Sequence, residues 1–395
     1  MKKFYRMASL WIIPALLVQL ASSPQTSGLP VSIALKNEYY SVDSIERSKE
    51  PGFLKFQVSS AHAHYEIEGI GRLAKLLHEI EVIERIRRND ESSGFFDGVA
   101  SGVENTKDGF VNFVAHPVRS VAGLGGAAKK IGRGIGGIFR DKEEGEKTSF
   151  GDTVIGSSER ELAKQFGVDV YTTNPYLRNL LVKMAKSRAG GKGTFAVVSL
   201  LIPVGLVAML AITASSVNGV ADQIVNDHSR QDLFYLNKKA LMGLGFAEYD
   251  SIKVLNLPYY SPREATYLRV YLEKLKEVKG WQEIFKAARG VSGEWQALKL
   301  LYAAQLAADG YDKIRFKKLH VFREGIGLLG PDRIVFMAPY DDLDSGLMPG
   351  IKSRIEKLKK EWGQQKSEIW NAGRISAFHG LMTTREWMLL SGRTV

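Results

Sequence analysis

Among its 395 residues the chain has no cysteine. That absence excludes disulfide bridges, thiolate metal centres, a cysteine nucleophile and acylation of a lipobox cysteine. Catalytic signatures are missing as well: there is no His-Glu-x-x-His pair, no Gly-x-Ser-x-Gly elbow and no Ser/His/Asp constellation. Repeats of domain size are absent. Two local absences are more informative. No acid occurs between Arg119 and Arg140, and no charge of either sign occurs from Phe195 to Val217.

Apolar residues make up 45% and charged residues 25%, the composition of a folded chain with room for two or three domains. The net charge of +11 points to acidic partners such as anionic lipid or envelope polymers. It also permits nucleic acid, which is not favoured because no aromatic–basic recognition module is present. Lys2, Lys3 and Arg6 precede the apolar run Met7–Leu20, and small residues follow at Ala21-Ser22-Ser23. Residues 1–23 therefore read as a signal peptide or N-terminal anchor, and the expected location is the periplasm or cell envelope, at a membrane.

The uncharged run Phe195–Val217 is long enough to cross a ~30 Å hydrocarbon layer as a helix. Lys183, Lys186, Arg188 and Lys192 flank its start, while Asp222 and Asp227 follow its end. The positive-inside rule puts the basic flank in the cytoplasm, whereas an exported N-terminus puts it outside. Two readings stay open: a core hairpin broken near Pro203–Gly205, or a segment that enters lipid.

Residues 95–140 carry apolar side chains at helical spacing, from Val99 and Val103 through Phe110 and Val114 to Ile131, Ile135 and Ile138. Seven glycines between Gly123 and Gly137 each lower helix propensity by ~1 kcal/mol, so such a helix needs an apolar surface to fold against. His116-Pro117 should kink it. Arg119, Lys129, Lys130 and Arg133, with Ile131, Ile135, Ile138 and Phe139, form the expected membrane-binding set, suited to an anionic interface. GFFDGVASGV and GFVNFVAHPVRSVAGLGGAAKKIGRGIGGIF resemble the glycine- and valine-rich amphipathic segment near the C-terminus of bridge-like lipid-transfer proteins. That resemblance implies membrane contact. More broadly, the chain resembles exported proteins of Gram-negative bacteria that carry such a segment.

The rest predicts a mainly α fold with small β parts, an α+β protein. Residues 30–94 read as a small β region plus an amphipathic helix over Ile70–Arg88, with strands at Val31–Leu35, Phe53–Val58 and Ala61–Glu68. Residues 141–149 (DKEEGEKTS) form a linker, and 150–228 a helical region holding the apolar run. Residues 229–395 read as a helical domain that ends in a β-hairpin around Gly330-Pro331-Asp332 and a strand–helix–strand unit. Helix starts are expected at Ser158, Asn174, Ser229 and Ser261, the last supported by Pro262 and Glu264.

Two places hold candidate metal ligands. In Ala61–Glu68 a two-residue period puts His62, His64, Glu66 and Glu68 on one face. Asp341, Asp342 and Asp344 cluster after the hairpin and could hold a hard divalent cation. A wet strand face and an Asp-rich turn explain the same residues without an ion. Gly132-x-Gly134-x-x-Gly137 lacks the preceding strand of a dinucleotide site, and Gly193 follows Lys192 where a P-loop requires Ser or Thr. No cofactor is expected. The leading expectation is a non-enzymatic, membrane-associated envelope protein that binds anionic lipid, with homo-oligomers open to it. The alternatives are a pore-forming or toxin-like protein and a secreted metal-dependent hydrolase.

Overall fold

A computed structural model describes residues 35–89, 110–112, 150–189, 216–372 and 387–391. The protein is α+β: ten helices and two small sheets among the described residues. Strand β1 (Tyr40–Arg47), β2 (Leu54–Ser60) and β3 (His64–Glu68) form an antiparallel meander, and β4 (Phe110–Asn112) pairs parallel with β3. The expected strand Val31–Leu35 has its first four residues outside the described ones, and Leu35 is not in a strand. Its place is taken by β1, whose pairing shifts between Val42 and Ser44. That bulge puts Val42 and Ile45 three apart and hides the two-residue period. Phe110–Asn112, expected to be helical, is a strand; the rest of 95–140 and the linker 141–149 lie outside the described residues.

Helix α1 (Ile70–Asn89) covers the meander. Phe56, Val58, Tyr65 and Ile67 from alternate strand positions meet Leu73, Leu76, Leu77 and Ile80 from the helix. Burial on α1 extends beyond its apolar stripe: His78, Glu79, Glu81 and Glu84 are buried too, because α1 packs against more than the sheet.

Helices α2 (Phe150–Gln165), α3 (Pro175–Ala189), α4 (Ser216–Asp227), α5 (Arg230–Gly243), α6 (Glu248–Leu255), α7 (Pro262–Leu275), α8 (Gln282–Arg289) and α9 (Glu294–Lys313) follow. All eight place buried apolar side chains in the largest core, α5 and α6 with one each, Leu241 and Val254. Their starts follow local chemistry. Asn174 Oδ1 accepts from the backbone of Tyr176 at 3.1 Å, and Ser229/Asp232 and Ser261/Glu264 both close capping boxes. Ser158 does not open its helix; α2 already runs from Phe150. Gly167, at φ +65°, follows its last turn in the left-handed conformation.

The second sheet runs β5 (Lys318–Phe322), β6 (Gly325–Leu329), β7 (Ile334–Ala338), β8 (Ser367–Asn371) and β9 (Trp387–Ser391), antiparallel for the first two pairings and parallel for the last two. Helix α10 (Met348–Trp362) makes the crossover from β7 to β8. The single hairpin expected around Gly330 is thus corrected: β6 lies between the two expected strands. Alternation is absent from β7 because both its faces are covered. Val335 and Met337 enter the main core, while Phe336 and Ala338 face Ile351 and Ile355 of α10.

Gly325 and Gly327, both of which the packing requires, leave β6 without a strand-like pattern in the sequence. A Cβ at Gly327 would sit 2.3 Å from Leu358 Cδ1 of α10. At Gly325, with φ +153°, it would sit 2.1 Å from the Met337 carbonyl oxygen, which cannot move without breaking the sheet. Gly325→Ala is therefore expected to lower stability by about 3 kcal/mol. The measurement is the urea midpoint at unchanged slope; an unaltered midpoint would contradict this packing.

Candidate functional site

The strand-face candidates separate in the structure. Strand β3 starts at His64, so Ala61–Ala63 form the turn from β2 and the two-residue period cannot run through them. The His62 ring turns inward, with Nδ1 2.6 Å from Glu84 Oε1 and Nε2 2.7 Å from Tyr65 Oη. It meets Tyr176 edge-on, ring centroids 5.0 Å apart. His64 stays on the outer face, its Nδ1 2.8 Å from Ser59 Oγ, and Glu66 pairs with Lys55 at 2.8 Å. His62 and His64 thus serve opposite sides of the sheet.

The aspartates are likewise divided by role. Asp341 is buried, and its Oδ2 accepts from the backbone N–H groups of Leu54 (3.0 Å) and Ile70 (3.1 Å). It thereby ties the start of β2 and the first turn of α1 to the end of β7. Asp342 is also buried, and its backbone N–H donates to the Gly52 carbonyl at 3.0 Å. Asp344 Oδ1 accepts from Gly346 and Leu347 ahead of α10, and Oδ2 lies 3.3 Å from Arg47. Among the described residues no group of three or more His, Asp or Glu side chains is placed to hold a metal ion. The hydrolase alternative therefore has no gathered ligand set at either place.

What sequence reasoning missed is a polar junction around α1. On one side, Glu84, His62 and Tyr65 form a carboxylate–imidazole–phenol chain. Tyr65 is fully buried, and burial holds its phenol well above the usual range, so it acts as a neutral hydroxyl. With Tyr65 closed from solvent, the chain pins the β2–β3 turn to α1. On the other side, Asp169, in the loop between α2 and α3, accepts from Lys75 Nζ at 2.6 Å and from the Tyr171 backbone at 2.9 Å. It also lies 3.3 Å from Arg263 of α7. Arg263 in turn bonds Asp222 of α4, which accepts the Tyr267 hydroxyl. Burial alone would raise the Asp169 carboxyl, but Lys75 and Arg263 together hold it below the ordinary range.

Glu79 completes the junction, accepting from Thr172 Oγ1 at 2.7 Å, and burial raises its carboxyl. The signal for these residues is the run His78-Glu79-Ile80-Glu81-Val82-Ile83-Glu84. It places carboxylates around the whole circumference of the helix, so covering α1 on more than one side must bury some of them.

The membrane-binding candidates Arg119, Lys129, Lys130, Ile131, Arg133, Ile135, Ile138 and Phe139 lie outside the described residues, as does the apolar run up to residue 215. Among the described residues no helix is long and apolar enough to cross a membrane. Compared with protein-family models, curated proteins and solved structures, the chain finds no match.

Proposed function

We propose that this is an exported, non-enzymatic protein of the cell envelope that binds anionic lipid through residues 119–140. The observation that carries the reading is the sequence pattern: five basic residues and no acid across that stretch, with Ile131, Ile135 and Ile138 at helical spacing between them. A helix softened by glycine gains most from an external apolar surface, and the interface of an anionic bilayer supplies both that surface and the counter-charge.

The helices on either side of the uncharged run bear on how it can take part. Leu177, Leu180 and Leu181 of α3 share one core with Val217, Ala221 and Val225 of α4. A single crossing between those helices would carry them to opposite sides of a bilayer and separate that core. In this reading the run therefore enters and leaves on one face, which removes the conflict between its basic flank and an exported N-terminus.

Flotation with lipid vesicles tests the proposal. The full chain should float with vesicles of phosphatidylcholine and phosphatidylglycerol but not with phosphatidylcholine alone. Replacing Lys129, Lys130 and Arg133 with glutamine removes ~1 kcal/mol per charge, or about a hundredfold in affinity. Equal flotation with both vesicle types, or no loss in the triple variant, would overturn the lipid reading.

A further inference from the structure

A cleft of about 640 Å³ opens between the start of α9 and the β5–β6 hairpin. Its size falls in the ~300–1,000 Å³ range of small-molecule sites. The floor is apolar and buried: Leu300 and Ala303 from α9, Ile326 from β6, and Pro339 beyond β7. Trp295 and Phe322 form half-buried walls. Both rings are held from behind. Trp295 packs on Phe53 at 4.6 Å between centroids and lies under the Arg72 guanidinium at 5.3 Å. Phe322 packs on Phe336 at 6.1 Å, with the Arg354 guanidinium 5.6 Å from its centroid. A ligand entering between them has little side-chain ordering to impose.

The charged lining residues are four, and three are already committed. Glu50 takes the Lys299 ammonium at 2.6 Å, and Glu294 takes Arg72 at 2.6 Å. Arg323 is exposed and forms no ion pair among the described residues. An ammonium carries three donors, so Lys299 can serve a second acceptor beside Glu50. The 20-residue helix α9 begins at the cleft, from Gly293, with Glu294 in its first turn. The charge in this cleft that no ion pair takes up, that of Arg323, is therefore positive.

We propose that the cleft binds a small amphipathic organic anion. The apolar body lies on the floor between Trp295 and Phe322, and the carboxylate sits at the rim formed by Arg323 and Lys299. The proposal is independent of lipid binding by residues 119–140, and either can fail alone.

Gly293 provides the means to test it. The residue borders the cleft in an extended conformation (φ −162°), and a Cβ there would meet no atom within 4 Å. A side chain added there thus has open space ahead of its Cβ and can narrow the cleft. Calorimetric titration of the full chain with sodium octanoate should give saturable binding, with octyltrimethylammonium, which has the opposite charge on a similar chain, at least about tenfold weaker. Gly293→Phe and Arg323→Ala should each weaken octanoate binding, the first by at least about tenfold, while each free protein still unfolds in one cooperative transition. No saturable heat, equal binding of the cation, or octanoate binding undiminished in Gly293→Phe would each overturn the proposal.

Discussion

Asp169→Ala is expected to lower the stability of the protein by about 3 kcal/mol, the lower end of the range for breaking a buried ion pair. The lower end applies because the Lys75 and Arg263 side chains are 34% and 29% exposed, although Asp169 itself is only 7% exposed. Removing the carboxylate leaves two cations beside one another with no shared counter-charge, and the Tyr171 backbone N–H loses its acceptor. Asp169→Asn keeps an acceptor but no charge, so its loss should be intermediate. A Lys75→Met change on top of Asp169→Ala relieves the repulsion and should recover part of the loss. Urea unfolding of the wild type, Asp169→Ala, Lys75→Met and the double variant closes a double-mutant cycle that reads the coupling. Strict additivity would show that the two side chains do not interact as the geometry requires.

That junction also shows where sequence reasoning stops. Capping chemistry is local, so Asn174, the Ser229–Asp232 box and the Ser261–Glu264 box were legible from residue types three positions apart. The α+β class followed from the same punctuation. Strand β6 was lost because Gly325 and Gly327 have poor β propensity, and the reason for them lies in α10 and β7, far along the chain. Helix α10 itself went unread even though Ile351, Ile355 and Leu358 keep a helical spacing. His62 and His64 differ by two in sequence, yet a turn intervenes and one ring faces inward. The partners of Asp341, Leu54 and Ile70, are 287 and 271 residues away. No local pattern encodes a contact of that span, so an aspartate-rich turn and a buried cap between two sheets look alike in sequence.

Asp341 should give the protein an unusual dependence on pH. Burial raises its carboxyl to about 7, with Asp342 adding to the shift, while the two backbone donors and Arg72 act against it. In the unfolded chain the same group ionises near pH ~4. The folded form thus holds its proton more tightly than the unfolded form. The stability it contributes is full below about pH 4 and is lost as the pH rises through about 7. Asp169 behaves oppositely: its folded value is depressed, so its contribution is lost only as the pH falls below the ordinary carboxylate range. Between pH 5 and 8 the Asp341 slope should therefore stand out, with the wild-type unfolding midpoint falling as the pH rises. Asp341→Asn keeps an oxygen acceptor for Leu54 and Ile70 without a charge, so it should flatten that slope and melt above the wild type at pH 8. Asp341→Ala leaves both buried N–H groups without an acceptor and should cost about 2–6 kcal/mol at pH 6. A calorimetric series across pH 5–8 separates these outcomes. If Asp341→Asn retains the full wild-type slope, another group titrates in that range and the carboxyl joining the two sheets is not its source.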